Sequence, residues 1–196
     1  MDMMKKQING MLLICAVAAL TFGCSQSKEK SEEKLDSPTE TAEESLESVI
    51  VDLESKSDSQ LKGTVIFKEL ANGKINIDVN LMNIEPGDHA VHIHAIGDCS
   101  APDGTSAGGH WNPMGVDHGN RAEGGDFHQG DIGNLTVRED GNGSLSMDVE
   151  GWTIGGDEST NILNHAVIVH AGPDDFTSQP AGAAGPRIGC GVITLK

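Results

Sequence analysis

The chain has 196 residues and sets 30 Asp and Glu against 13 Lys and Arg, a formal net charge of −17 at pH 7. That balance excludes electrostatic attachment to nucleic acid as its main business, and the length allows one domain or at most two. Gly at 25 residues without a G-X-Y period excludes collagen, four Cys are too few for a disulfide-dense scaffold, and 37% hydrophobic residues suffice for one core.

Residues 1–23 begin with Lys5 and Lys6, run through the apolar or near-apolar stretch Met11–Phe22 and end on Gly23 before Cys24. A membrane span needs about 20 apolar residues, so this stretch reads as an export signal, and a permanent transmembrane helix is the weaker reading. Its ending, Leu20-Thr21-Phe22-Gly23-Cys24, resembles a bacterial lipoprotein signal, which implies acylation of Cys24 and a membrane-anchored protein of the periplasm or cell envelope. Residues 24–48 form an acidic tether: from Ser25 to Ser48, three Lys face eight acidic residues, with almost no large apolar side chain. Such a segment cannot bury enough surface to fold.

Residues 49–196 read as a single all-β domain. Period-two alternation marks eight strands: Val49 to Glu54, Gly63 to Glu69, Ile75 to Met82, Ala90 to Ala95, Asn134 to Arg138, Ser144 to Glu150, His165 to His170 and Ile188 to Leu195. Turn residues punctuate them at Ala71-Asn72-Gly73, Glu85-Pro86-Gly87-Asp88 and Asp140-Gly141-Asn142-Gly143. Eight short strands at this spacing predict an antiparallel Greek-key barrel or sandwich. Two long connections, Ile96 to Gly133 and Ala171 to Arg187, are rich in Gly, Pro and Asp, a length that points to function or disorder.

The histidines gather around these loops. His92 and His94 share one face of an alternating strand, about 7 Å apart by strand rise, and the loop that follows supplies His110, His118, His128 and Asp131. His170 ends a later apolar strand. Six imidazoles and one carboxylate suit copper and zinc. Two four-coordinate ions need eight ligand positions, so one imidazole would have to serve both through its two nitrogens.

The motifs His92-Ile-His94, Gly108-Gly-His110-Trp-Asn-Pro113, His118-Gly119, His128-Gln-Gly-Asp131-Ile-Gly-Asn134, His170-Ala-Gly-Pro-Asp174 and Gly185-Pro-Arg187-Ile-Gly-Cys190 resemble copper/zinc superoxide dismutase in its bacterial exported form. The resemblance covers essentially all of residues 49–196. It implies copper bound by His92, His94, His110 and His170, and zinc bound by His110, His118, His128 and Asp131, with His110 the shared ring. It further implies that Asp174 accepts hydrogen bonds from the outer nitrogens of His92 and His118, and that Arg187 hydrogen-bonds superoxide beside copper. His110 is also the expected proton carrier. His89 and His165 fill no ligand position and are expected to be structural, as are Trp111 and Trp152; Met147 is expected in the core.

Cys99 and Cys190 remain after export into an oxidising compartment and are expected to pair. The implied activity converts superoxide to oxygen and hydrogen peroxide, in a monomer or homodimer. A rival reading on the same fold is an exported copper and zinc buffer or copper donor without turnover. The domain itself carries a net charge of −13, and residues 171–186 contain no Lys, so the field that draws in an anionic substrate has to be local.

Overall fold

The computed structural model describes residues 47–195. The segment read as an export signal, the expected acylation site Cys24 and all but the last residues of the expected tether lie outside this range.

Eight strands form in chain order: β1 Ser48–Ser55, β2 Lys62–Glu69, β3 Ile75–Met82, β4 Gly87–His94, β5 Asp131–Val137, β6 Asn142–Val149, β7 Ala166–His170 and β8 Arg187–Val192. A single turn of 3-10 helix, Thr105–Ala107, interrupts the long connection after β4. The alternation seen in the sequence becomes inside and outside. Val49, Val51 and Leu53 of β1 and Ile75, Ile77, Val79 and Leu81 of β3 are buried while the residues between them face outward. Phe67 of β2 is fully buried with its ring 6.0 Å from that of Trp152, and Trp111 is buried as well, so both tryptophans pack as expected. Met147 is half-buried against the core.

The strands close into a barrel in the order β1-β2-β3-β6-β5-β4-β7-β8, every pairing antiparallel. Closure removes the unpaired sheet edges that would otherwise template aggregation. It also places β5, β4, β7 and β8 side by side, and these four strands with the loops that join them carry every predicted site residue among those described.

Several boundaries differ from the sequence reading, β8 ending at Val192 rather than Leu195 among them, and three of the differences lie beside the predicted site. β4 starts at Gly87, inside the expected turn, because Gly87 and Asp88 pair with Val137 and Thr136. β5 starts at Asp131 and not at Asn134: Asp131 pairs with His92 across a bulge, which puts a poor strand former into the sheet. β8 starts at Arg187, whose Cα partner across the sheet is His170. Among the described residues, no helix is long and apolar enough to cross a membrane.

Candidate metal centre

On β4, Val91 and Ile93 point into the barrel core, so His92 and His94 point outward. Both are nevertheless buried, since the two long connections fold over that face. The first of them docks on the end of β4. The Trp111 amide donates to Ile93 O at 2.9 Å, the Ala95 amide donates to Gly109 O at 2.9 Å, and His110 bridges to His94. Gly130 lies against the same strand end, donating to Trp111 O and accepting from the Ile93 amide. A Cβ at Gly130 would collide with Ile93 O, so only glycine lets the loop approach this closely.

The result is two groups of potential ligands sharing one ring. His92, His94, His110 and His170 bring one nitrogen each within 4.8 Å of one another, His110, His118, His128 and Asp131 do the same with three nitrogens and a carboxylate oxygen, and all seven residues are buried. The ring centroids of His92 and His110 are 4.0 Å apart, and those of His110 and His118 are 5.3 Å apart.

Each ring of the first group has one engaged nitrogen and one bare one. His92 donates from Nε2 to Asp174 Oδ2 at 2.8 Å, His94 from Nδ1 to Gly108 O at 2.9 Å, and His170 from Nδ1 to Gly185 O at 3.1 Å, while His110 Nδ1 faces Asp131 Oδ1 at 2.8 Å. The opposite nitrogens, His92 Nδ1, His94 Nε2, His110 Nε2 and His170 Nε2, are buried with no hydrogen-bond partner. Carbonyl and carboxylate oxygens only accept, so the engaged nitrogens of His92, His94 and His170 carry the protons and the bare ones present lone pairs to a common point. Buried polar atoms are otherwise almost always paired, and four convergent lone pairs left bare fit a cation.

Burial is the main cause that keeps these rings neutral: it holds His92 below its ordinary value, His94 down at about 2 and His170 at about 3, with neighbouring positive groups adding to the effect. A neutral imidazole is the form that binds a metal.

The second group is spaced differently. His118 Nδ1 is 2.9 Å from Asp131 Oδ2, in a direction unsuited to a hydrogen bond. His128 Nδ1 is 3.4 Å from both His110 Nδ1 and Asp131 Oδ1. Four donors on a tetrahedral ion with arms of about 2.0 Å would be about 3.3 Å apart, so three imidazoles and one carboxylate at these spacings fit zinc, whereas the four-imidazole group fits copper. Burial by itself would raise the Asp131 carboxyl, but hydrogen bonds from His110 and the His128 amide outweigh it and hold the group well below its usual range. Burial likewise opposes a charged His118, yet the hydrogen bond to Asp174 and the nearby Asp131 leave it raised.

Asp174 spans the two groups. Its Oδ2 takes the His92 proton and its Oδ1 takes that of His118 Nε2, each at 2.8 Å. Two side-chain amides, which the sequence reading did not single out for this role, hold the link. Asn134 donates to Asp174 O and accepts from its amide, at 2.9 and 2.7 Å. Gln179 does the same to the main chain of His118, both at 2.9 Å.

Arg187 donates from Nη1 to Gly104 O and from Nη2 to Gly108 O, both at 2.7 Å. With His170 it lines an open cavity of about 440 Å³, together with Gln179 and Gly185. A second opening, about 590 Å³, is lined by His110 but also by Asp157 and Glu158, which repel anions. The Arg187 side is therefore the electrostatically suited approach for an anion. Cys99 and Cys190 form a disulfide with their Cα atoms 5.8 Å apart. His89 is buried, with Nδ1 2.9 Å from His170 O and Nε2 2.9 Å from Glu85 O. His165 is half-buried, its ring 4.7 Å from that of Trp111 and its Nδ1 2.8 Å from Ala95 O. Neither belongs to a ligand group.

A family model for copper/zinc superoxide dismutase matches residues 61–193. The chain belongs to the copper/zinc superoxide dismutase family. Among solved structures, that of the clock protein EA4 is similar at 28% identity and a TM-score of 0.68, over 76% of this chain and 94% of that one. The family match runs from just before β2 to just after β8 and includes both long loops.

Proposed function

We propose that this chain is an exported superoxide dismutase, with copper held by His92, His94, His110 and His170 and zinc by His110, His118, His128 and Asp131. The observation that carries the reading is the set of bare, buried nitrogens of His92, His94, His110 and His170, each on a ring whose other nitrogen is already engaged. Two superoxide ions and two protons give one oxygen and one hydrogen peroxide. Bound copper would supply the one-electron oxidation and reduction, and zinc a fixed positive charge.

The chain's own residues do the rest. Arg187, permanently charged and pinned by two carbonyls, binds and orients the anion at the mouth of the cavity. His110 is the only ring in both groups, and its Nε2 is the atom at which a proton can be held and passed to the reduced dioxygen. Asp174 fixes the orientation of His92 and His118 and holds a proton on the Nε2 of each, so that Nδ1 is the nitrogen turned to the metal. The disulfide supports an oxidising location. On the reading of residues 1–48, signal removal exposes Cys24 for acylation and the acidic segment tethers the domain to an envelope membrane.

The test combines metal content by mass spectrometry with superoxide consumption by the same sample. One copper and one zinc per chain with fast consumption is the expected result. Both metals bound without consumption would identify a metal buffer instead. His110→Ala is expected to lower turnover, and unchanged activity in the fully metallated variant would remove His110 from the mechanism.

A further inference from the structure

The second ligand group depends on one tight turn, His128-Gln129-Gly130-Asp131, which contributes two of its four ligands. Within the turn, the Asp131 amide donates to His128 O at 3.0 Å and the His128 amide to Asp131 Oδ2 at 2.8 Å. These bonds close the ring and engage neither the Gln129 nor the Asp131 carbonyl oxygen. Arg121 meets them. Its Nε donates to Asp131 O at 2.8 Å, and its Nη2 to Gln129 O at 2.6 Å and to His128 O at 3.4 Å. The guanidinium carbon lies 4.5 Å from the ring centre of Phe127 and 5.4 Å from that of Trp152, and Trp152 Nε1 itself donates to Gln129 O at 2.9 Å. Arg121 is the one Lys or Arg between Ile96 and Gly130, and none of its hydrogen bonds goes to a carboxylate.

We propose that Arg121 is a positioning residue for the second metal: it grips three main-chain carbonyls of the His128–Asp131 turn from behind, so that His128 Nδ1 and the Asp131 carboxylate stay converged without Arg121 touching the ion. The inference rests on the zinc assignment above. The planar fork is what allows this, because Nε and Nη2 reach carbonyls of different residues at once while the guanidinium lies over two aromatic rings. A lysine keeps the charge and reaches one of these carbonyls at most. Groups that orient metal ligands typically change metal affinity by about 10- to 100-fold when replaced.

The experiment measures zinc release from the full, disulfide-bonded protein to a chelator, for the wild type and for Arg121→Lys, Arg121→Met and His128→Ala, with copper content followed in parallel. Circular dichroism and thermal unfolding of the metal-free forms establish that each variant folds. Arg121→Lys is expected to release zinc about tenfold faster and Arg121→Met faster still, with copper retained and with a changed visible spectrum when cobalt(II) replaces zinc. A role confined to packing would lower the unfolding temperature but leave the cobalt spectrum unchanged. Zinc release within twofold of wild type in Arg121→Lys, with His128→Ala losing zinc, overturns the proposal for Arg121 and leaves the zinc assignment standing. Zinc retained in His128→Ala overturns both.

Discussion

Asp174 and His118 stand 56 residues apart in the chain, yet Asp174 Oδ1 and His118 Nε2 are 2.8 Å apart and both are buried. The same carboxylate takes the proton of His92 on β4, so one side chain orients a ring in each ligand group. Asp174→Asn keeps the size and replaces one accepting oxygen with a donor, so an N–H group is turned toward an N–H group. Both rings then lose the cause that fixes which nitrogen is bare. Affinity for each metal is expected to fall by about 10- to 100-fold, read by competition with chelators for copper and for zinc separately. Affinities within threefold of wild type for both metals would show that Asp174 is a turn residue and nothing more.

Gly182 offers an independent way to reach the same link without altering any polar group. It sits at φ 64°, in the left-handed region, and a Cβ built there would clash with Asp174 Oδ1 and come within 2.8 Å of His118 Nε2. Backbone and space both require glycine. Gly182→Ala is expected to push the loop off Asp174 and to weaken metal binding in the same direction as Asp174→Asn, with little added loss in the double variant because both changes act on one contact. Full additivity in a double-mutant cycle of chelator affinities would separate the two effects.

The site was far more legible in the sequence than its supports. His92 and His94 announce themselves by alternation, and the seven ligand candidates by residue type and by motif. The closed strand order was not legible, because pairings such as β3 with β6 join segments whose separation leaves no local mark. Asn134, Gln179 and Arg121 share a different reason. Each acts on main-chain groups, which every residue possesses, so nothing at the receiving end of those hydrogen bonds shows in the sequence. The one Lys or Arg in the acidic and glycine-rich loop from Ile96 to Gly133 was the available signal for Arg121. The strand limits failed where Gly87 and Asp131, residues that ordinarily end strands, were carried into the sheet by pairing with a neighbour already in place.

The disulfide closes a separation of 91 residues, for which chain entropy alone gives roughly 4 to 5 kcal/mol. Cys190 lies in a buried apolar patch with Ala107, Ala166 and Ile168, and Cys99 belongs to the connection that also supplies Gly104 O and Gly108 O to Arg187. The bond thus ties the loop that anchors Arg187 to the strand that Arg187 opens. The paired replacement Cys99→Ser with Cys190→Ser is expected to cost about 2 to 5 kcal/mol, measured by urea unfolding of the metal-free protein. A loss under about 1 kcal/mol would mean that the barrel holds this loop without the cross-link.

Arg187 tests whether a local field can serve an anionic substrate on an acidic domain. Gly108 O accepts from both Arg187 Nη2 and His94 Nδ1, so one carbonyl fixes the guanidinium and a ring of the first ligand group together. Distant carboxylates are screened over about 8 Å in 0.15 M salt, and the charge that an arriving anion meets at His170 is that of Arg187. Arg187→Glu reverses that charge without touching a ligand. The second-order rate with superoxide is expected to fall by at least tenfold, a rise of about 1.4 kcal/mol or more in the activation barrier, with copper and zinc content unchanged. Arg187→Lys, which keeps the charge but cannot span Gly104 O and Gly108 O, is expected to lie between the two. Raising the salt concentration should narrow the gap between wild type and Arg187→Glu, since screening weakens attraction and repulsion alike. An Arg187→Glu protein that consumes superoxide at the wild-type rate would take Arg187 out of substrate binding altogether.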